Sequence, residues 1–120
     1  MHLVSIDHVQ LAMPKGEESN ARSFFVDVLS MTELPKPDVL AKRGGAWFSS
    51  GNVQIHLGVE DDFRPAKKAH VALTVSDAAT LRTTLLQNGY LVQDDNTIPN
   101  AKRFYTNDCF GNRIEFIELE

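Results

Sequence analysis

Three of the chain's four histidines, His8, His56 and His70, together with Glu115, are the side chains whose types and spacing best suit chemistry. Three imidazoles and a carboxylate form a donor set for one borderline divalent ion, Zn²⁺, Ni²⁺, Fe²⁺, Co²⁺ or Mn²⁺. An octahedral ion on four protein ligands would keep two positions for water or substrate, and a displaced carboxylate could serve as a base. His2, near the start of the chain, is left out of the set.

The elements that must carry these residues follow from apolar periodicity. Leu3 to Met13 alternates, with Val9, Leu11 and Met13 on one side and His8, Gln10 and Ala12 on the other, which reads as a half-buried strand. Pro14-Lys15-Gly16 breaks it. Glu17 to Ser30 places Ala21, Phe24, Phe25, Val28 and Leu29 at helical spacing, with acidic residues in the first turn. Pro35 and Pro37 restrict any strand between Leu34 and Leu40 to a short edge piece. Ala46 to Ser50, Gly51-Asn52 and Val53 to Val59 read as a β-hairpin closed by a two-residue turn. The pattern then restarts. His70 to Val75 is a strand, Ser76 or Asp77 caps a helix that runs to about Asn88, and Gly89 ends it, with Ala78, Leu81, Leu85 and Leu86 as its apolar stripe. Leu91-Val92, Phe104 to Thr106 and Arg113 to Leu119 supply three further strands.

Strand, helix, then three strands occurs twice, so the expected class is α+β: two βαβββ modules forming a curved mixed sheet with helices on the outer face. A single domain over 1–120 divides into module one, 1–60, a linker, 61–68, and module two, 69–120. Within this repeat, 48 positions separate His8 from His56 and 45 separate His70 from Glu115. Side chains alternate faces along a strand. His56 therefore opposes Ile55 and Leu57, His70 opposes Val71 and Leu73, and Glu115 opposes Ile114 and Phe116. All four candidates fall on the sheet faces away from the helices, although Glu118 interrupts the alternation in the last strand.

Hairpin register adds aromatic partners. A Gly51-Asn52 turn sets Trp47 opposite His56, and a turn centred on Phe110 sets Tyr105 opposite Glu115. Tyr105 could then donate to a substrate oxygen or to Glu115, as a second catalytic group beside that carboxylate. Trp47, Tyr105 and Arg103 are the expected substrate contacts; Arg103 shares a strand face with Tyr105. Arg43, Arg64, Lys67 and Lys68 add positive charge that would suit a small anionic substrate.

The chain's 120 residues, 42% hydrophobic and 23% charged, suit one soluble globular domain. A net charge of −4 with no basic stripe argues against nucleic acid as a partner. No apolar run approaches the roughly 20 residues that span a bilayer, so no membrane association is expected. The opening residues lack an export signal, and the lone Cys109 cannot form an internal disulfide; both favour the cytoplasm.

Ile6-Asp7-His8-Val9, Phe24-Phe25-x3-Leu29, Ile55-His56-Leu57, His70-Val71-Ala72-Leu73 and Phe104-Tyr105-x2-Asp108-x2-Gly111-Asn112-Arg113-Ile114-Glu115-Phe116 together resemble the vicinal oxygen chelate superfamily. This is the glyoxalase, bleomycin-resistance and extradiol-dioxygenase group, here of a glyoxalase-like bacterial type. The resemblance covers essentially the whole chain. It implies paired βαβββ modules, a U-shaped sheet around a metal, a homodimer, and metal positions at His8, His56, His70 and Glu115. Cys109 stands where that group commonly has proline. The leading implied activity is a metal-dependent lyase or isomerase of glyoxalase I-like or epimerase-like type. In it the metal polarises two vicinal oxygens, an enediolate is stabilised, and Glu115 moves a proton. The alternatives are an Fe(II) dioxygenase on His8, His70 and Glu115, a fosfomycin thiol transferase, and a non-enzymatic drug-binding resistance protein. Fold alone does not choose among them.

Overall fold

Each half of the chain turns its period-two strands into a four-stranded mixed sheet. A computed structural model describes residues 1–119; Glu120, the last residue of module two as read from sequence, lies outside the described residues. The chain divides into two compact units, Met1–Arg64 and Pro65–Glu120.

In the first unit β1 (Val9–Met13), β2 (Thr32–Leu34), β3 (Ala46–Ser50) and β4 (Val53–Val59) lie in the order β1-β4-β3-β2. In the second, β5 (Val71–Thr74), β6 (Gln93–Asp94), β7 (Ala101–Asn107) and β8 (Arg113–Leu119) lie in the order β5-β8-β7-β6. The first strand of each unit runs parallel to the last, and the other pairs are antiparallel. Helix α1 (Glu18–Arg22) continues as a π-helical stretch, Ser23–Val28; α2 (Asp38–Ala41) follows β2, and α3 (Ala78–Gln87) follows β5. This is the α+β, twice-repeated βαβββ order.

One face of each sheet is apolar and carries that unit's core. In the first unit Leu11, Met13, Ala46, Phe48, Ile55 and Leu57 are buried with Phe24, Phe25 and Val28, and the Phe25 ring stacks on Phe48 at 5.2 Å. In the second, Phe104, Ile114 and Phe116 are buried together with Ala78 and Leu85. The polar faces are left for chemistry.

Several elements differ from the periodicity reading, each for a non-local reason. Strand β1 begins at Val9, not Leu3, because its partner β4 begins only after the Gly51-Asn52 turn; in the observed register Leu3 to Ile6 would run past that turn, where no ladder exists. The helix over Glu17 to Ser30 widens into π turns after Arg22, with the Leu29 N–H donating to the Phe24 carbonyl at 3.0 Å. Wider winding lets Phe24, Phe25 and Val28 all reach the core. Leu86 is 48% exposed and leaves the α3 stripe. The sixth strand lies at Gln93–Asp94, two residues later than Leu91-Val92, because the Leu91 carbonyl accepts instead from the Thr106 hydroxyl. Glu118, the residue that breaks the alternation of β8, accepts from the Ala78 N–H at 2.7 Å and so caps α3.

Two turns set up the site strands. Gly45 has φ +86°, and a Cβ there would lie 2.1 Å from the Leu57 carbonyl oxygen, so only glycine lets the chain enter β3 and place Trp47. Between β7 and β8, Asp108 accepts from the Phe110 and Asn112 N–H groups and from the Asn112 amide, each at 2.9 Å. Burial pushes its carboxyl above the usual range despite those bonds.

Asp108→Ala would leave three donors without their acceptor in a turn whose Asp108 and Asn112 are 4% and 1% exposed. The expected loss is about 2–4 kcal/mol, seen in urea unfolding as a lower midpoint at unchanged slope.

Candidate metal and substrate site

The parallel pairing in each unit brings two of the four candidate ligands onto one polar face. In the first unit Gln10 pairs with His56, and His8 lies two residues before Gln10 on the same side. In the second, Ala72 pairs with Glu115, and His70 lies two residues before Ala72. His8 and His70 each stand immediately before the first strand of their unit. The repeat therefore makes His8 equivalent to His70 and His56 equivalent to Glu115. Antiparallel pairing completes the correspondence, with Trp47 opposite His56 and Tyr105 opposite Glu115, the registers that the turn positions imply.

Around His56 the rings are layered. His8 stacks on it with centroids 4.0 Å apart and planes 12° apart, and Trp47 stacks at 4.2 Å and 11°. The acceptor beside each ring settles its tautomer. Nδ1–H of His8 donates to the Asp7 carboxylate at 2.9 Å, which leaves Nε2 with its lone pair. Nε2–H of His56 donates to the Gln54 side-chain oxygen at 3.2 Å, which leaves Nδ1. Burial depresses the His56 pKa, the nearby His8 ring and Lys36 depress it further, and Asp7 opposes them in part, so the ring is held neutral. A cavity of about 550 Å³ opens on this face, lined by Asp7, His8, Gln10, Lys36, Arg43 and Trp47 among others.

The second pair is in direct contact. Nδ1–H of His70 donates to the Lys68 carbonyl at 2.8 Å, while Nε2 faces Glu115 Oε1 at 2.9 Å. A neutral ring with its proton on Nδ1 offers only a lone pair at Nε2, so a cation, a proton or a metal, must lie between those two atoms. Backbone anchoring of the far nitrogen is the arrangement that orients histidine ligands in metal sites. The other Glu115 oxygen, Oε2, accepts from Arg103 Nη1 at 2.9 Å. Burial would raise the Glu115 pKa, but hydrogen bonds and charge from Arg103 and His70 outweigh it and hold the carboxyl below its usual range. Tyr105 packs edge-on against His70 at 5.4 Å, and its hydroxyl accepts from Arg103 Nη1 at 2.8 Å.

Arg103 is thus tied to Glu115, Tyr105, Asp95 and Thr97, with only Nε unpartnered. It holds other site groups in place, and its fork is occupied before any substrate arrives. Of the other basic candidates, Arg43 lines the first-unit cavity and Lys67 a cavity in the second unit, while Arg64 and Lys68 are exposed on the 61–68 stretch. Three residues on the polar faces escaped the sequence reading. They are Gln54, which orients His56, Lys36, whose charge acts on it, and Arg113, whose guanidinium lies 3.8 Å over the Tyr105 ring. Strand phase could have found Gln54 and Arg113, since each sits two residues before a candidate ligand; Lys36 carries no such signal. Among the described residues, no group of three or more His, Cys, Asp or Glu side chains is gathered in reach of one ion. Each unit presents a pair. No helix is long and apolar enough to cross a membrane among the described residues.

Comparison with solved structures places these features among known proteins. A protein described as of the glyoxalase family, from Bacillus anthracis, is 48% identical over 100% of this chain and 98% of its own, with a TM-score of 0.96. A genomically encoded fosfomycin resistance protein from Listeria monocytogenes has a TM-score of 0.78 at 10% identity, covering 99% of this chain and 96% of its own. A lactoylglutathione lyase from Agrobacterium tumefaciens has a TM-score of 0.66 at 18% identity, covering 92% and 91%. No protein-family model and no curated protein matches the chain.

The Glu115 environment makes a pH prediction for metal-free protein. Its folded pKa lies below the unfolded value, so its contribution to stability is present above the ordinary glutamate range and is lost as pH falls through the folded value. In Arg103→Met, burial is opposed by His70 alone. Carboxyl-carbon NMR titration is expected to show the Glu115 midpoint moving up, and the acid limb of the pH–stability curve should flatten. An unmoved midpoint would show that Arg103 does not govern this carboxylate.

Proposed function

The chain belongs to the glyoxalase family of the vicinal oxygen chelate superfamily, and from that we propose that it is a metal-dependent enzyme of the lyase or isomerase type acting on a small, oxygen-rich substrate. One observation carries the reading. His70 Nε2 and Glu115 Oε1 lie at hydrogen-bond distance, 2.9 Å, while the far atoms of both groups are anchored by the Lys68 carbonyl and Arg103. Such a pair is preset to share a cation. His8 and His56, each with one ring nitrogen tied to an acceptor and one left over, form a second donor pair on the first unit.

His70 and Glu115 would hold a divalent ion of the Zn, Ni, Fe, Co or Mn group, which when bound would polarise adjacent oxygens of the substrate. The chain's own groups do the rest. Glu115 would carry the proton taken from and returned to substrate carbon, with Arg103 holding its carboxylate in place. The Tyr105 hydroxyl already accepts from Arg103, so its own proton is available to a substrate oxygen. Trp47, stacked on His56, walls the first-unit cavity and excludes water from that side.

A second reading, a non-enzymatic binding or resistance protein, draws on the layered Trp47 and His56 rings, which would hold a flat ligand without any metal. One series of measurements separates the two. Chelator-stripped protein is reconstituted with Ni²⁺, Zn²⁺, Co²⁺, Fe²⁺ and Mn²⁺, analysed for metal, and assayed on hemithioacetals and 2-oxo acyl compounds. The expected result is about one ion per chain, lost in His70→Ala and Glu115→Ala. Tyr105→Phe should keep the ion and lose about tenfold in kcat/KM, the equivalent of one hydrogen bond. Wild-type protein that takes up none of these ions would overturn the enzymatic reading and leave the binding one.

A further inference from the structure

Two arginines flank Tyr105 on the polar face of the second unit, and they are in opposite states. Arg103 is held by two carboxylates and two hydroxyls. Arg113 lies flat over the Tyr105 ring, its guanidinium carbon 3.8 Å from the centroid, and is half-buried. Among the described residues no carboxylate pairs with it. A half-buried cation with one face on an aromatic ring keeps its in-plane N–H donors for something else.

Those donors border a cavity of about 410 Å³ lined by Pro65, Lys67, Gln93, Tyr105, Asn107 and Arg113 among others, and no acidic side chain lines it. The lining therefore holds two positive charges, Lys67 and Arg113, and two side-chain amides that can donate. Lys67 likewise has no carboxylate partner among the described residues. The backbone builds this corner deliberately close. Arg113 N–H donates to the Ala66 carbonyl at 2.8 Å, and the Asn112 side-chain oxygen accepts from Ala66 N–H at 3.0 Å, which pins the segment carrying Lys67 against the start of β8. Gly111, with φ +91°, leaves room for Pro65, since a Cβ there would come within 3.2 Å of the proline ring.

We propose that Arg113 and Lys67 form an oxyanion-binding site that takes the acidic end of the substrate, a carboxylate or a phosphoryl-type group. Position supports this. Arg113 and Glu115 are two residues apart on one strand face, and Tyr105 lies directly opposite Glu115 with Arg113 over its ring, so a group held at Arg113 is on the same face as the Glu115 carboxylate. The role in orienting a substrate rests on the enzymatic reading above; the binding of an oxyanion does not.

The experiment uses chelator-stripped full-length protein and inorganic phosphate, titrated at constant ionic strength against chloride, with thermal unfolding and Arg Nε–Hε NMR shifts as readouts. Wild type is expected to show saturable phosphate binding that raises Tm and moves the Arg113 signal. Arg113→Gln and Lys67→Gln should each bind at least tenfold more weakly, and Lys15→Gln, at an exposed position of the other unit, should bind as wild type does. Lys67 is exposed, so Lys67→Gln gives the answer even if Arg113→Gln fails to fold. No saturable binding, or binding unchanged in Lys67→Gln and in any folded Arg113→Gln, overturns the site. Protein that binds phosphate here yet takes up no metal would sink the enzymatic reading and leave this one standing.

Discussion

Parallel pairing between the first and last strand of each unit is the constraint on which the candidate chemistry depends. A one-residue slip of β4 against β1 would carry His56 into the apolar layer with Phe48, and the same slip of β8 would bury Glu115 beside Phe104. The apolar residues prevent both slips. Ile55 and Leu57, or Ile114 and Phe116, would have to leave the core for their polar neighbours to enter it, at a cost of about 1.5–3 kcal/mol for each large side chain exposed. Hydrophobic burial on one side of each sheet thus decides what stands on the other.

Electrostatics then gives the two polar faces different characters. On the first, desolvation and neighbouring positive charge keep His56 neutral, and the rings of His8, His56 and Trp47 form a layered, weakly polar wall. On the second, Glu115 is drawn towards the charged form by His70 and Arg103, and the face is a network of charge-assisted hydrogen bonds. Equivalent positions of a repeated unit have diverged into a ring-layered pair and a hydrogen-bonded, charge-assisted one.

The side chains around Arg103 explain how a buried charge is tolerated there. Its side chain is 11% exposed, and four partners satisfy every nitrogen but Nε. Removing any one carboxylate partner would leave much of that charge uncompensated, which is why a site of this kind is rigid before a ligand arrives. Arg113 shows the contrasting state, a guanidinium supported by an aromatic face and open in its own plane.

Strand phase and turn position were legible without coordinates, because both are local. Alternation assigns faces, a Gly51-Asn52 turn makes Trp47 meet His56, and the Asp108 to Asn112 turn makes Tyr105 meet Glu115. What needed the tertiary structure was partner choice. The repeat made His8 and His70 stand out in the sequence, yet nothing local shows that Arg103 is claimed by Asp95, Thr97, Tyr105 and Glu115 while Arg113 pairs with no carboxylate. Nor could period two reveal that Glu118 faces the core side to cap α3, or that the first ladder waits until Val9 for its partner. Hydrogen-bond and ion-pair assignments depend on which distant atoms the fold brings within 3 Å or so. Side-chain period depends only on the chain's own geometry, and that difference in range separates what the sequence determined from what folding decided.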